Sequence, residues 1–442
     1  MDWRRLLSAR RLGQPGAEPV SAGRSPFQKD WDRIVFCSAF RRLQDKTQVH
    51  SSPESDYVRT RLTHSLEVSS VGRSLGALAG QTVAQRHSLP AGVSAAEFGN
   101  IVAAACLAHD IGNPPYGHFG EDILRHWFAD PAGGARYLEG LTAAERADIT
   151  GFDGNAQGFR VITRLQNWRD AGGLRLTAAT LGAFAKYPWG SGGPRADGQK
   201  IAGKFGYFAA ERDLFADLAA ELGLLPVAAP GARSRHPLAY LVEAADDICY
   251  RVVDLEDGYK LGRIGFADAE MLLLDLVGDA SSRYPYIEDQ AWRIAHLRAT
   301  AIGRLIEQAA AAFLDHEGDI LAGRMEKDIL AHCPARGALA AIAELTQTRI
   351  FRTRERSQTE IAGSEILITL LASFAGAFAE REASSDRPPS PRAMALLRLV
   401  PGPLPGAEAR YAWLLRLVDF VSGMTDGYAL AMFRRIRGLT RE

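Results

Sequence analysis

Apolar positions along the chain recur at helical rather than alternating intervals. Leu62, Leu66, Val71, Leu75 and Leu78 fall three to five residues apart, one face of an amphipathic helix with His64 in its first turn. Residues 95–108 are apolar on nearly every side, which predicts a helix buried all round. Helical periods also run through 121–128, 152–165, 176–187 and 211–222, and a charged and apolar mixture predicts a helix from Asp30 to Leu43. Pro237 suits the first turn of a helix over 238–255, where its missing N–H costs nothing. From Ala267 onward a succession of helices is broken at 281–285, 334–337, 384–391 and 401–406. One stretch departs from this spacing. Around 47–60, β-branched residues flank a Ser-Ser-Pro-Glu-Ser cluster at 51–55, which predicts a short β-hairpin. No alternating pattern is long enough for a central sheet. The fold class is therefore mainly α, with an irregular arm over 1–29, a core over 30–265 and a helical C-terminal part over 266–442 packed on that core.

Composition narrows the function classes. The 52 basic and 52 acidic side chains cancel, so no global charge draws the 442-residue chain to nucleic acid or to a membrane surface. The basic set is lopsided, with 7 Lys and 45 Arg. Arginine suits bidentate phosphate recognition, although codon usage in a GC-rich genome accounts for most of these residues. Cys37, Cys106, Cys249 and Cys333 are far apart and form no C-x-x-C pair, the pattern of reduced core cysteines in an intracellular protein. No apolar stretch follows the arginine-rich N-terminus, and the longest apolar run, 367–379, is short of a bilayer span. A cytoplasmic protein without a membrane partner is expected.

The candidate chemistry centres on His109-Asp110-Ile111-Gly112-Asn113-Pro114-Pro115-Tyr116-Gly117-His118. An apolar helix delivers a His-Asp pair at its end, two prolines stop it, and a second His follows. On the helix predicted over 238–255, Asp246, Tyr250 and Asp254 are spaced i, i+4, i+8 and lie in one row. Taken alone that row is a solvated acidic face, and a lone His64 is structural. Together, His64, His109-Asp110 and Asp246 on separate helices make a two-His, two-carboxylate set. Such a set suits Mn, Mg, Fe, Co or Ni better than a closed thiolate zinc site.

That H…HD…D arrangement resembles the HD-domain metal-dependent phosphohydrolases. Local segments narrow the resemblance to the deoxyguanosine triphosphate triphosphohydrolases: 33–49 with its Phe40-Arg-Arg-Leu-Gln-Asp-Lys-Thr-Gln-Val ending, 59–68, 109–121, Phe152-Asp-Gly-Asn-Ala-Gln-Gly158, Lys186-Tyr-Pro-Trp189, Lys204-Phe-Gly206 and 243–250. These occur in order and cover residues 25–265, with weaker echoes at Arg349-Ile-Phe-Arg352 and Glu360-Ile-Ala-Gly363. The resemblance implies an HD-type multi-helix fold and one divalent metal ion held by His64, His109, Asp110 and Asp246. Asp246 is chosen over Asp247 because Tyr250 and Asp254 keep family spacing from it. It also implies His118 as catalytic histidine with Glu121 as its partner, Tyr250 and Asp254 at the sugar 3′ side, Arg61, Lys186 and Tyr187 at the phosphates, and Gln48 near sugar or base. Asn113 and Gly154 stand where other relatives carry His, which leaves general-acid duty to His118.

The implied reaction is hydrolysis of a deoxynucleoside triphosphate, dGTP or several dNTPs, to deoxynucleoside and inorganic triphosphate. The resemblance further implies a homo-oligomer, tetramer or hexamer, with a regulatory dNTP or single-stranded DNA. Arg4, Arg5, Arg10 and Arg11 in the arm, and the run 349–356, are then either anion contacts between subunits or ordinary solvated charge. Two other readings compete: an HD phosphohydrolase for a monophosphate or cyclic nucleotide, and a nucleotide- or single-stranded-DNA-responsive regulator.

Overall fold

A computed structural model describes residues 1–14, 23–47, 59–167, 172–193, 203–227, 231–278, 286–350, 353–384, 388–406 and 409–439. Their secondary structure is helical throughout, and what pairing exists outside helices consists of isolated bridges. The expected hairpin is one such place. Thr47 and Thr60 form a single antiparallel bridge, residues 48–58 between them lie outside the described set, and the described residues contain no strand.

Two helices form the centre. Arg61–Arg86 begins with a reciprocal capping box, in which Thr60 accepts from the Thr63 N–H and Thr63 accepts from the Thr60 N–H. Ala96–Ala108 packs along it with Ile101 to Ala108 all buried. The pair is unusually close because glycines repeat every four residues on the first helix. A Cβ at Gly72 would lie 2.4 Å from Cys106 Sγ, at Gly76 2.6 Å from Phe98 O, and at Gly80 2.4 Å from Ala95 O. Across the seam, a Cβ at Gly99 would come within 2.9 Å of Arg73 O. Backbone-to-backbone contact of this kind is what brings His64 beside the end of the second helix. Pro237–Lys260 lies against both, running five residues past its predicted end before Gly262 turns the chain at φ 68°.

Other boundaries differ for local reasons. The helix expected over 30–43 is two, Pro26–Val35 and Ser38–Arg42, because the Cys37 thiol takes the N-cap position and accepts from the Phe40 N–H. Residues 152–165 divide into Gly154–Arg160, capped by Asp153, and a wider π-type turn over Val161–Leu165. Ala143–Thr150, whose polar sequence shows little period, forms a helix through a Thr142–Glu145 capping box.

Of the N-terminal stretch expected as an irregular arm, residues 1–14 and 23–29 are described and pack on the core. Trp3–Leu6 is a short helix, and Trp3, Leu6 and Leu7 are buried in the main core. Its arginines are spent within the chain: Arg11 Nη1 lies 2.6 Å from Asp30 Oδ1 with both side chains buried, and Arg10 pairs with Glu221 at 3.0 Å. All four cysteines are buried and free.

Apolar side chains segregate into two clusters. One collects the central helices, the N-terminal stretch and the helices between residues 266 and 350. The other joins Gly117–Ala129 to helices from the last 80 or so residues, centred on Leu367, Leu370, Phe374 and Phe378 of Arg354–Glu382. Residues 266–442 thus contribute to both clusters. Within that long helix, Arg356–Glu382 is long and apolar enough to cross a membrane by length and composition, but more than half of its most apolar window is buried against the rest of the chain.

The glycine seam makes a prediction. Gly76→Ala should lower the melting temperature even though Ala is favoured over Gly by about 1 kcal/mol in a helix interior, because overpacking costs about 1–3 kcal/mol. Gly303→Ala, on the exposed face of Gln290–Asp315 with open space around it, should raise it. Thermal unfolding of the two variants checks the signs, and a stabilising Gly76→Ala would contradict the close packing.

Candidate metal centre

Three donor atoms converge where the central helices meet. His64 Nε2 lies 3.2 Å from Asp246 Oδ1, and His109 Nε2 lies 3.5 Å from the same oxygen. His64, His109 and Asp246 offer ligand atoms that all fall within 4.8 Å of one another. Bonds of about 2.1 Å to one cation place neighbouring donors about 3.0–3.4 Å apart, so the spacing fits a single ion. The chemistry of the donors fits as well. His109 Nδ1 lies 2.6 Å from Cys106 O, and a carbonyl can only accept, so Nδ1 carries the proton and Nε2 presents its lone pair to the centre. Burial works against the charge on Asp246, yet His109 and the hydrogen bond from His64 hold its carboxyl well below the usual range.

Asp110 stands at the edge of this group. Its Oδ1 is 3.6 Å from His109 Nε2, while Oδ2 takes Arg61 Nη1 at 2.6 Å and Oδ1 takes the Asn113 amide at 2.5 Å. Despite burial, Arg61 and the neighbouring histidines bring its carboxyl down to about 2. Arg61 itself is buried beneath Gly117, where a Cβ would lie 2.4 Å from its Nη2, and its Nε has no hydrogen-bond partner among the described residues. Asp247 turns away and pairs with Arg251 at 2.9 Å, so of the two adjacent carboxylates it is Asp246 that faces the imidazoles.

The rim carries the other candidates. After Asn113, Pro114 and Pro115 turn the chain, and Tyr116 and Gly117 take left-handed backbone angles, φ 62° and 61°. The helix Gly117–Ala129 then starts with His118 in its first turn, its side chain 74% exposed and its Nδ1 3.4 Å from Glu121 Oε2. Glu121 is buried and heavily engaged. Its Oε2 also meets Arg125 at 3.0 Å and Lys204 at 3.2 Å, and its Oε1 accepts the Gly154 N–H at 2.9 Å. Burial would raise this carboxyl, but His118, Lys204 and Arg125 hold it far below the ordinary range. Gly154 admits no side chain, since a Cβ would fall 2.3 Å from Asn113 Oδ1 and 2.6 Å from Glu121 Oε1.

On Pro237–Lys260, Tyr250 is half-buried and Asp254 is buried one turn further on. Burial dominates at Asp254 and pushes its carboxyl up to about 8, and its Oδ2 has no partner among the described residues. Lys186 lies 3.3 Å from Glu243 and is held above the lysine range by it against the effect of burial. Tyr187 is buried beside Trp189, with the Arg235 guanidinium 5.7 Å from its ring centre. Gln48 lies outside the described residues.

Several partners escaped the sequence reading. Lys204 is part of a quoted motif, and the structure puts it on Glu121. Asn113, read there as a missing histidine, is a brace for Asp110. Glu243, the first residue of the quoted segment 243–250, pairs with both Lys186 and Arg235, and Arg235 carried no signal beyond its charge.

A helical fold closing two imidazoles and a carboxylate around one point is the architecture of an HD-type centre. The HD domain family matches residues 61–145, which include His64, His109 and Asp110. Proteins called deoxyguanosinetriphosphate triphosphohydrolase-like are similar over the whole length: one from Pseudomonas aeruginosa is 42% identical across 99% of both chains, and one from Synechocystis is 42% identical across 100% of both. A Yersinia enterocolitica protein called deoxyguanosinetriphosphate triphosphohydrolase is 30% identical across 99% of both. The chain therefore belongs to the HD-domain deoxyguanosine triphosphate triphosphohydrolase family, and it is a phosphohydrolase.

The charge on Glu121 has a measurable consequence. A carboxylate depressed in the folded state stabilises the protein at pH values above its ordinary pKa of 4.5, and that contribution is lost as pH falls below it. Glu121→Gln should therefore cost on the order of a few kcal/mol at pH 7, a deficit that shrinks in acid. Denaturant unfolding of both proteins at pH 7 and at about pH 4 checks this; a deficit independent of pH would contradict the assignment.

Proposed function

We propose that the protein hydrolyses deoxynucleoside triphosphates, dGTP among them, to deoxynucleoside and inorganic triphosphate. The observation that carries this reading is the convergence of His64 Nε2, His109 Nε2 and Asp246 Oδ1, with the exposed His118 on the turn that follows the His109-Asp110 pair. Asp110 completes the ligand set, with Arg61 and Asn113 fixing its orientation. A divalent cation bound there supplies Lewis acidity, acidifying water and neutralising charge on the α-phosphoryl group.

The residues of the chain do the rest. His118 faces solvent on the rim, where Glu121 holds its ring through Nδ1 and leaves the other ring nitrogen to donate a proton to the departing 5′-oxygen. In the balanced step, water oxygen bonds to the α-phosphorus, the bond from phosphorus to the 5′-oxygen breaks, the proton from His118 ends on the nucleoside hydroxyl, and the proton lost by the attacking water passes to solvent, from which His118 is reprotonated. Lys186 stands ready to exchange part of its pairing with Glu243 for triphosphate oxygens, with Tyr187 and Arg61 nearby in the same role. Asp254, protonated at neutral pH and with an unpartnered oxygen, can donate to a sugar hydroxyl alongside Tyr250. Gln48 completes the sugar or base contacts.

Removing a ligand and removing the proton donor should differ. His109→Ala and Asp246→Ala should each lose bound Mn²⁺ and all triphosphate release. His118→Ala should keep its Mn²⁺ and turn over about 10²–10⁴-fold more slowly. Metal content by mass spectrometry and turnover of dGTP decide it. Full activity in His109→Ala would sink the centre, and metal loss in His118→Ala would make that residue a ligand.

A further inference from the structure

The turn that carries His118 is held from the far end of the chain. Asp426, in the first turn of Asp426–Ile436, reaches back to it with both carboxylate oxygens. Oδ1 accepts the Tyr116 N–H at 3.0 Å, and Oδ2 accepts from the Thr47 N–H at 3.0 Å and the Thr47 hydroxyl at 2.6 Å. Next door, the buried Lys46 Nζ bridges two carbonyls, Asn113 O at 2.5 Å and Ser422 O at 2.9 Å. Lys46 is tied by its own backbone to the start of the His64 helix, where Arg61 N donates to Lys46 O at 3.2 Å. Two consecutive residues thus connect the first metal-ligand helix, the Asn113–Tyr116 turn and the segment 422–426.

The backbone shows why such a hold is needed. Tyr116 is a non-glycine residue at φ 62°, a conformation in which its Cβ crowds the backbone and which persists only where its surroundings enforce it. Its N–H is fixed by Asp426, and its ring lies on Gly363 of Arg354–Glu382, where a Cβ would come within 3.0–3.2 Å of three ring carbons. The next residue, Gly117, opens the helix bearing His118.

We propose that Lys46 and Asp426 are positioning residues: a clasp from the C-terminal segment that fixes the strained turn at Tyr116 and so sets His118 over the metal centre. Neither side chain reaches the donor atoms of that centre. Their effect on turnover rests on the role given above to His118, whereas their effect on the turn does not.

Amide hydrogen exchange on the full-length, Mn²⁺-loaded protein separates the two. In Asp426→Ala, exchange in a peptide covering 113–118 should rise by about tenfold or more, with Gln290–Asp315 unchanged. Asp426→Asn keeps an acceptor oxygen and should show a smaller rise. Manganese content should stay at the wild-type level, KM for dGTP should change little, and kcat should fall by about ten- to hundredfold in Asp426→Ala, with partial recovery in Asp426→Asn. Unchanged exchange at 113–118 in Asp426→Ala overturns the clasp; should that variant not fold, unchanged exchange in Asp426→Asn overturns it. If exchange rises and the unaltered protein releases no triphosphate, the proposed reaction fails and the clasp stands. If exchange rises and kcat is unaltered, the clasp does not position His118.

Discussion

Two imidazole nitrogens and a carboxylate oxygen are held facing one point, and much of the molecule is explained by the cost of holding them there. Asp246 and His64 bring charge and unsatisfied lone pairs into a largely buried space. Their neighbours are supported from behind, His109 by the Cys106 carbonyl and Asp110 by Arg61 and Asn113. The helix pair that delivers His64 and His109 can approach closely because Gly76, Gly80 and Gly99 leave room for opposing backbone and Gly72 leaves room for the Cys106 side chain. The geometry of the three donors is thus written into residues that do not belong to the cluster.

A second constraint surrounds the first. Glu121 takes four donors, two of them permanently charged, on the inner side of an exposed imidazole. That arrangement keeps a buried negative charge next to His118 and links three separate motifs: the His109–Glu121 turn, the Asp153–Gly158 segment and Lys204. The two apolar clusters meet along the same line, because Gly117–Ala129 belongs to the second cluster while the ligand helices belong to the first. The turn between them is where His118, the proposed proton donor, stands.

How much of this could be read beforehand depends on the range of the interaction. Helices such as Ala96–Ala108 and Pro237–Lys260 follow from local period and were legible, as were the residues that meet at the centre, because their spacing matches a known family. Boundaries that depend on a cap were harder: a cysteine thiol at residue 37 splits one helix, and Thr142 starts another whose own sequence is weakly patterned. Of the expected hairpin at 47–60, the described residues carry the Thr47–Thr60 bridge, and 48–58 lie outside them. Contacts between distant segments left no trace in spacing. Nothing around Lys46 announces that it spans Asn113 O and Ser422 O, and the paired carboxylate Asp426 reads in sequence as an ordinary acidic first-turn residue.

The account depends above all on which bond of the substrate breaks. Incubation of the purified protein with dGTP and Mn²⁺, with every phosphorus-containing product identified by ³¹P spectroscopy, tests this directly. Deoxyguanosine and intact inorganic triphosphate in equal amounts are the predicted result. Release of pyrophosphate or orthophosphate as the primary product would contradict it.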